Sequence, residues 1–325
     1  MEFVYEEIVL TSIDVVDSPT PSSPNRVIFS AATPGKKDDT TATFIRKVKY
    51  VQKSPTETKA KSSHVMLEAE KILPGQVRSL INAESEEAAE RSTDAKDMDV
   101  NRKVLFTVHG YDQDPIEYLL EIKGVETRFK KFKLIPVLWP SSSDSVGMFV
   151  YPRDKILGQG AAKAFQSIVE PAESFSKSIL AHSMGNYVLR KFANSSFNFD
   201  NIFMVAADVN HDLFNERYIE GGKQEWRKDG LRIKDMLTEG KDGKIHVVYN
   251  KRDTTLMKSS FLNRDSRLGR SGIPLGGDCL LRKADKVHED IKDVVTTIDW
   301  TRSYPSDSHS YQFDLGIVGY YESQY

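Results

Sequence analysis

Ser183 lies in a segment whose pattern is typical of a nucleophilic serine. The run Ile179-Leu180-Ala181-His182-Ser183-Met184-Gly185-Asn186 predicts a short buried strand that leads directly into a helix, with Ser183 at the turn. Such a turn is strained, so the residues two before and two after the serine must be small, as Ala181 and Gly185 are. The turn would place the hydroxyl at a helix N-terminus, where backbone N–H groups stabilise negative charge. The competing interpretation is a serine that only caps a helix.

A second segment, Val108-His109-Gly110-Tyr111, follows a predicted buried strand and is placed to stabilise an oxyanion. Around a serine of this kind, one oxyanion donor comes from the loop after an earlier strand and the other from the residue after the nucleophile. These positions predict the backbone N–H groups of Tyr111 and Met184 as the two donors. Gly110 would let the backbone approach a substrate closely. The alternative is a simple turn that ends the strand.

The chain has seven histidines from which a general base can be chosen. Sites with the chain order serine, acid, histidine place the histidine after the last strand, and His309 is the histidine that fits. His288 precedes that strand and is a weaker alternative. His182 adjoins the serine, and adjacent side chains on such a turn are expected to diverge. The alternative for His309 is an ordinary solvated histidine in a polar C-terminal loop.

Two aspartates compete for the acid of the predicted triad, and both follow buried strands. Asp208 comes after Ile202–Ala207, and Asp253 comes after Ile245–Tyr249. The usual acid follows the second strand after the nucleophile, which selects Asp253 and leaves Asp208 as the alternative. Its role is to orient the imidazole and to stabilise the charged form of that ring. The aspartate that is not used would cap a helix or bind loop backbone.

From residue 101 onward, short apolar runs alternate with helical segments. Continuous apolar strands separated by helices predict an α/β domain with a parallel sheet covered on both faces. Pro136 is awkward inside its run because proline cannot donate to a strand ladder. The predicted strands are Val104–Val108, Leu134–Leu138, Ser178–Ala181, Ile202–Ala207, Ile245–Tyr249 and Val294–Ile298, and the helices cover 114–130, about 155–169 and 185–193.

The first hundred residues differ in composition from the rest. Residues 65–92 carry helix-forming residues, interrupted at Pro74, and the stretch 84–99 is mostly charged residues and alanine, typical of a solvated helix or linker. We expect residues 1–100 to form a less regular region packed on a catalytic domain of residues 101–325. The strands predicted here are one or two within Phe3–Val16, then Val27–Phe29 and Phe44–Val48.

Composition excludes several classes of partner and cofactor. A formal charge of −2 gives no electrostatic reason to expect nucleic acid or an anionic membrane as the main partner. Cys279 is the single cysteine, so no intrachain disulfide forms. No metal-ligand cluster or glycine-rich phosphate loop appears, so we expect no metal and no cofactor. The lack of a secretory signal and of a run near 18 apolar residues predicts a soluble, cytoplasmic protein. Oligomeric state stays open.

Together these segments resemble the α/β-hydrolase superfamily and, more narrowly, a group of hydrolases known as domain of unknown function 900. The resemblance covers roughly residues 101–315, and Ala181 is usual in that group. It implies an α/β-hydrolase fold, with a mostly parallel sheet and helices on both faces, and acyl-transfer chemistry on an unspecified substrate. The shared segments are Val108–Tyr111, Leu138–Ser141, Ala181–Asn186, Val205–Val209 and Asp307–Tyr311.

The resulting expectation is a serine hydrolase of the carboxylesterase, lipase or thioesterase kind, acting on a small-molecule acyl ester or thioester through an acyl-enzyme on Ser183. Loops after strands line the sites of such sheets, so Trp139, Met148 and Phe149 are predicted to line the substrate pocket. Two alternatives remain. One is an acyltransferase on the same scaffold, and the other is a catalytically idle binding or scaffold protein.

Overall fold

The computed structural model describes most of the chain after residue 102 and the backbone of five earlier strands. The chain divides into two compact units, one of Met1–Arg102 with Asp112–Ser174 and one of Lys103–Tyr111 with Phe175–Tyr325. The separate roles expected for residues 1–100 and 101–325 stay a prediction. Beyond the five strands and a few residues between 151 and 162, the described residues are 103–111, 113, 115–139, 141, 177–193, 198–220, 228–273, 286–303 and 307–325.

The strands and helices follow the order of an α/β protein after residue 102. The strands are β1 Phe3–Thr11, β2 Asp14–Asp17, β3 Val27–Ser30, β4 Phe44–Gln52, β5 His64–Ile72, β6 Lys103–Val108, β7 Phe132–Leu138, β8 Lys177–His182, β9 Asn201–Val205, β10 Lys244–Tyr249 and β11 Val295–Asp299. The helices described are α1 Pro115–Glu126, α2 Gly185–Phe192, α3 Glu216–Glu220, α4 Asp229–Asp235, α5 Thr254–Asn263, α6 Leu268–Ser271 and α7 Leu315–Ser323.

The first unit contains an antiparallel arrangement in which β1 pairs with β4, β4 with β5, β5 with β3 and β3 with β2. The strands predicted within Phe3–Val16 and near residues 27 and 44 are confirmed. The helix-forming composition of residues 65–92 is misleading at its start, because His64–Ile72 forms β5. Intrinsic preference is a weak guide, and here pairing with β4 along the whole strand overrides it. Residues 73–92 lie outside the described part.

In the same unit, β7 lies parallel to β1, with Leu10 and Thr11 opposite Val137 and Leu138. Pro136 lies inside β7 but precedes the two positions that pair with β1, so its missing N–H is not needed there. The predicted helix 114–130 is present as α1, and of the predicted helix 155–169 residues 158–162 are described as helical.

The second unit is built on five parallel strands in the order β11-β10-β9-β8-β6. Every residue of β8 and β9 is buried, which explains why the apolar runs Ile179–Ala181 and Ile202–Val205 within them are continuous instead of alternating. On α2 the side chains of Val188, Leu189 and Phe192 are also buried. The prediction of an α/β protein with a parallel sheet is confirmed.

Because these strands are parallel, the residues that follow them meet at one edge of the sheet. Ser183 follows β8, Asp208 lies shortly after β9, Asp253 shortly after β10, and His309 some ten residues after β11. The topology therefore brings the candidates for nucleophile, acid and base to the same edge, although more than 120 residues separate Ser183 from His309 in sequence.

A buried polar cluster near the amino ends of β9 and β10 holds the C-terminal helix. His246 donates from Nε2 to Asn201 Oδ1 at 3.1 Å, and its Nδ1 accepts from the Tyr320 hydroxyl at 2.7 Å. Burial lowers the pKa of His246 to about 4, so the ring is neutral at physiological pH.

Within the described part of the chain, every helix is too short or too polar to cross a lipid bilayer.

Candidate active site

Ser183 sits on a turn with a left-handed backbone conformation, at φ 51° between β8 and α2. A side chain other than glycine adopts this region only when the surroundings hold it there, at a cost of order 1 kcal/mol. Two backbone hydrogen bonds do so. The N–H of Ser183 donates to the Val205 carbonyl at 3.0 Å, and the carbonyl of Ser183 accepts from the Asp208 N–H at 3.1 Å.

Gly185 is required because the start of α2 lies against the end of β6. A Cβ atom on residue 185 would lie 2.6 Å from the His109 carbonyl oxygen and 2.7 Å from that of Val108. Both of these atoms are main chain, so no side-chain movement relieves the overlap. The small residue that the sequence pattern demands two places after the serine is therefore explained by one close approach.

Asn186 fixes the same turn, and sequence reasoning assigned it no role. Its fully buried amide donates from Nδ2 to the carbonyls of Ala181 at 2.7 Å, Ser183 at 3.2 Å and Val205 at 3.3 Å. One side chain thus ties the strand, the turn and the neighbouring strand together. The available signal was a polar residue among the buried apolar residues of an amphipathic helix.

The structure brings Ser183, His309 and Asp253 into one hydrogen-bonded chain. His309 Nδ1 lies 2.6 Å from Asp253 Oδ2, and His309 Nε2 lies 2.7 Å from Ser183 Oγ. A carboxylate only accepts, so the shared proton belongs on Nδ1. The lone pair of Nε2 is then directed at the serine hydroxyl, which is the arrangement that a general base requires.

Asp253 has no exposed surface and uses both carboxylate oxygens. While Oδ2 accepts from His309, Oδ1 accepts from the Leu256 N–H at 2.8 Å, which makes Asp253 the N-cap of α5. A helix N-terminus favours a negatively charged group, so a carboxylate suits this position, and the cap fixes its orientation.

Asp208, the alternative acid, is directed to other partners. Its Oδ1 accepts from the Ser259 hydroxyl at 2.6 Å and forms an ion pair with Arg267 Nε at 3.2 Å, with both charged side chains buried. The alternative base His288 lies in a different loop, where its Nδ1 accepts from the Asp290 N–H at 3.2 Å. Neither alternative takes part in the chain that includes Ser183.

One of the two predicted oxyanion donors, Met184, adjoins the nucleophile. Met184 directly follows Ser183 at the start of α2, and its backbone N–H has no acceptor among the residues that the structure describes. The loop after β6 also lies against the serine, because a Cβ on Gly110 would be 3.0 Å from Ser183 Cβ and 3.5 Å from its Oγ. Tyr111 is the next residue of that loop, and the role of its N–H stays a prediction.

His182 contacts the segment that carries the base, a contact that the sequence analysis did not anticipate. Its Nε2 lies 3.0 Å from the main-chain carbonyl oxygen of His309, and the two rings are 4.9 Å apart. Burial and the nearby His309 lower the pKa of His182 to about 3. Sequence spacing offers no signal for this contact, because it joins positions more than 120 residues apart.

The predicted pocket residues are less informative. Trp139 is fully buried in the first unit, and Met148 and Phe149 lie outside the described residues, so their role in a pocket stays a prediction.

Among the described residues, His211, Asp212 and Asp265 have potential metal-ligand atoms within 4.8 Å of one another. Asp265 is already engaged, since its Oδ2 accepts from Asn210 Nδ2 at 2.6 Å. Groups of this kind are common without an ion.

Comparison with known proteins agrees with this geometry. The model of a family described as alpha/beta hydrolase of unknown function (DUF900) matches residues 84–285, more than half of the chain. The chain belongs to this family. The predicted resemblance and the α/β-hydrolase fold are confirmed, and hydrolase activity is the function that the family suggests. No curated protein and no solved structure matched the chain. The family match includes Ser183 and Asp253 but ends before His309, whose position rests on its hydrogen bonds.

Replacing Gly185 by alanine should damage the turn at Ser183. The added methyl group overlaps two backbone carbonyls, so we expect a loss of about 1–3 kcal/mol in the free energy of unfolding. Gly319→Ala is the matched control, because a Cβ at that exposed helical position meets nothing and should stabilise by about 0.5–1 kcal/mol. Urea unfolding of both variants makes the comparison. Equal stability of the two variants would contradict the close approach at Gly185.

Proposed function

We propose that this α/β hydrolase is a serine hydrolase that cleaves carboxylic esters or thioesters through an acyl-enzyme on Ser183. The observation that carries the proposal is the hydrogen-bonded chain from Asp253 through His309 to Ser183, with contacts of 2.6 and 2.7 Å. The family membership supports hydrolysis, and the arrangement of the three side chains supports a serine mechanism.

Acylation would begin with attack of Ser183 Oγ on the substrate carbonyl carbon while His309 Nε2 takes the serine proton. The new C–O bond shifts the carbonyl π electrons onto oxygen, and the N–H groups of Met184 and Tyr111 would stabilise that oxyanion. The tetrahedral intermediate then expels the alcohol or thiol, which receives the proton from His309. Asp253 stabilises the transient imidazolium and keeps it oriented.

Deacylation would repeat these steps with water as the nucleophile. His309 removes a proton from water as its oxygen attacks the acyl carbon of the Ser183 ester. Collapse of the second intermediate returns the proton to Ser183 Oγ and releases the carboxylic acid. No redox partner and no group beyond the side chains named is required, because all protons pass through His309.

Ser183→Ala should abolish hydrolysis of a short p-nitrophenyl ester. Loss of the attacking oxygen is expected to lower kcat by at least about 10⁴-fold, as removal of the nucleophile does in other triads. His309→Ala should have a comparable effect, because the serine proton then has no acceptor. Ser323→Ala provides a matched serine control on the exposed side of α7 and should leave kcat unchanged.

Two results would refute the serine mechanism. One is a Ser183→Ala variant that hydrolyses the ester as fast as the wild type. The other is a folded wild type without turnover on any ester or thioester in a panel of acyl chain lengths, which would favour an idle binding protein. If an added alcohol captures the acyl group in preference to water, the acyltransferase alternative replaces hydrolysis.

Replacing each of the two aspartates by asparagine should affect different properties, kcat for Asp253 and the free energy of unfolding for Asp208. Asp253→Asn keeps a good helix cap but puts the wrong group beside His309 Nδ1, so kcat should fall by about 10⁴-fold with little loss of stability. Asp208→Asn removes the charge that faces buried Arg267, and should cost about 3–5 kcal/mol of stability while the folded fraction keeps most of its turnover. Steady-state kinetics and urea unfolding of each variant provide the measurement. The opposite pattern would make Asp208 the acid.

A further inference from the structure

His182 bonds to the backbone of the residue that acts as the base. The carbonyl oxygen of His309 can only accept, so the 3.0 Å contact requires a proton on His182 Nε2. The ring is buried, and burial with the neighbouring His309 lowers its pKa to about 3. At physiological pH, His182 is therefore a neutral ring in one tautomer, with Nε2 as its donor.

The position of the His182 ring links the parts of the site. On one side its Nδ1 faces the loop after β6, since a Cβ on Gly110 would lie 3.2 Å from that nitrogen. On the other side its ring centroid is 4.9 Å from that of His309. Through its own backbone, His182 is the last residue of β8 and adjoins Ser183. The Gly110 loop and the base thus both lie against this side chain, and the nucleophile adjoins its backbone.

The segment that carries His309 is joined to neighbouring elements by hydrogen bonds of different lengths. The carbonyl of Asp307 receives the N–H and the hydroxyl of Thr254, each at a long 3.5 Å. The N–H of Ser310 donates to Ser308 Oγ, which lies within the same segment. The contact from His182 is shorter than the bonds from Thr254 and reaches the main chain of His309 itself.

The contribution of the His182 hydrogen bond to positioning His309 changes during the proposed reaction. In the free enzyme the imidazole of His309 is held by both Ser183 and Asp253. Once Ser183 is acylated, its oxygen has no proton to donate, so the ring keeps Asp253 as its remaining partner in the triad. A displacement of about 1 Å in a catalytic group can reduce the rate about 100-fold, so the main-chain bond matters most at that stage.

We propose that His182 is a positioning residue that holds His309 by its carbonyl and keeps the base in place, above all during deacylation. The proposal rests on the serine mechanism proposed above. It assigns no proton transfer to His182, whose Nε2 proton stays on the ring throughout.

The kinetic test compares a variant that keeps the donor with one that removes it. His182→Gln retains an amide N–H near the place of Nε2, whereas His182→Met fills the space without a donor. With a p-nitrophenyl ester, His182→Met should lower kcat roughly 10- to 100-fold and increase the burst of p-nitrophenol relative to the wild type, because the acyl-enzyme accumulates. His182→Gln should restore most of kcat and return the burst to the wild-type amplitude.

His246→Met is the matched control, because it removes another buried neutral histidine whose bonds go to Asn201 and Tyr320 at the amino ends of the strands. It should lower the melting temperature but leave kcat and the burst amplitude at their wild-type values. If His182→Gln is as defective as His182→Met, or if the control shows the same increase in the burst, the donor role of His182 is refuted.

A second measurement does not depend on turnover. Hydrogen exchange of a peptide covering residues 307–314 should be faster in His182→Met than in the wild type, and near wild type in His182→Gln and His246→Met. Unchanged exchange in His182→Met would overturn the proposal whatever the kinetics. The two proposals can also fail separately. If the wild type has no esterase activity but residues 307–314 still exchange faster in His182→Met, the serine mechanism is refuted and the positioning role of His182 is supported.

Discussion

The candidate site depends on the left-handed backbone turn at Ser183. That conformation is unfavourable for serine, and it persists because Val205 and Asn186 bind the turn and because Gly185 lets α2 begin against the end of β6. The same close approach fixes the distance between the nucleophile and the loop of Gly110. Strain at one residue is thus maintained by contacts with β6, β9 and α2.

Helix α5 separates the two aspartates that follow neighbouring strands. Asp253 caps the first turn of this helix through Oδ1 and accepts from His309 through Oδ2. Ser259, in the next turn, donates its hydroxyl to Asp208. Asp208 in turn neutralises buried Arg267, so its charge supports the structure. Two carboxylates at the same sheet edge therefore acquire different uses from their partners, although both follow a buried strand in the sequence.

Sequence reasoning performs well where the signal is local. The strand, small residue and helix around Ser183 are adjacent in the chain, and apolar runs mark β6, β8, β9 and β10 because those strands are buried. Chain order then predicts His309 and Asp253, whose side chains form the hydrogen-bonded chain with Ser183. The failures concern contacts between distant positions. The strand at residues 64–72 depends on pairing with β4, and the contact of His182 with His309 depends on how the C-terminal loop returns to the sheet.

The most direct test of an activated serine is reaction of the wild type with a fluorophosphonate probe, followed by intact-mass measurement and peptide mapping. Ser183 Oγ should displace fluoride from phosphorus as His309 takes its proton, so we predict one adduct per chain on the peptide that contains Ser183. The adduct should be absent from Ser183→Ala. A folded wild type that forms no adduct, or one that is modified at another residue, would contradict the account.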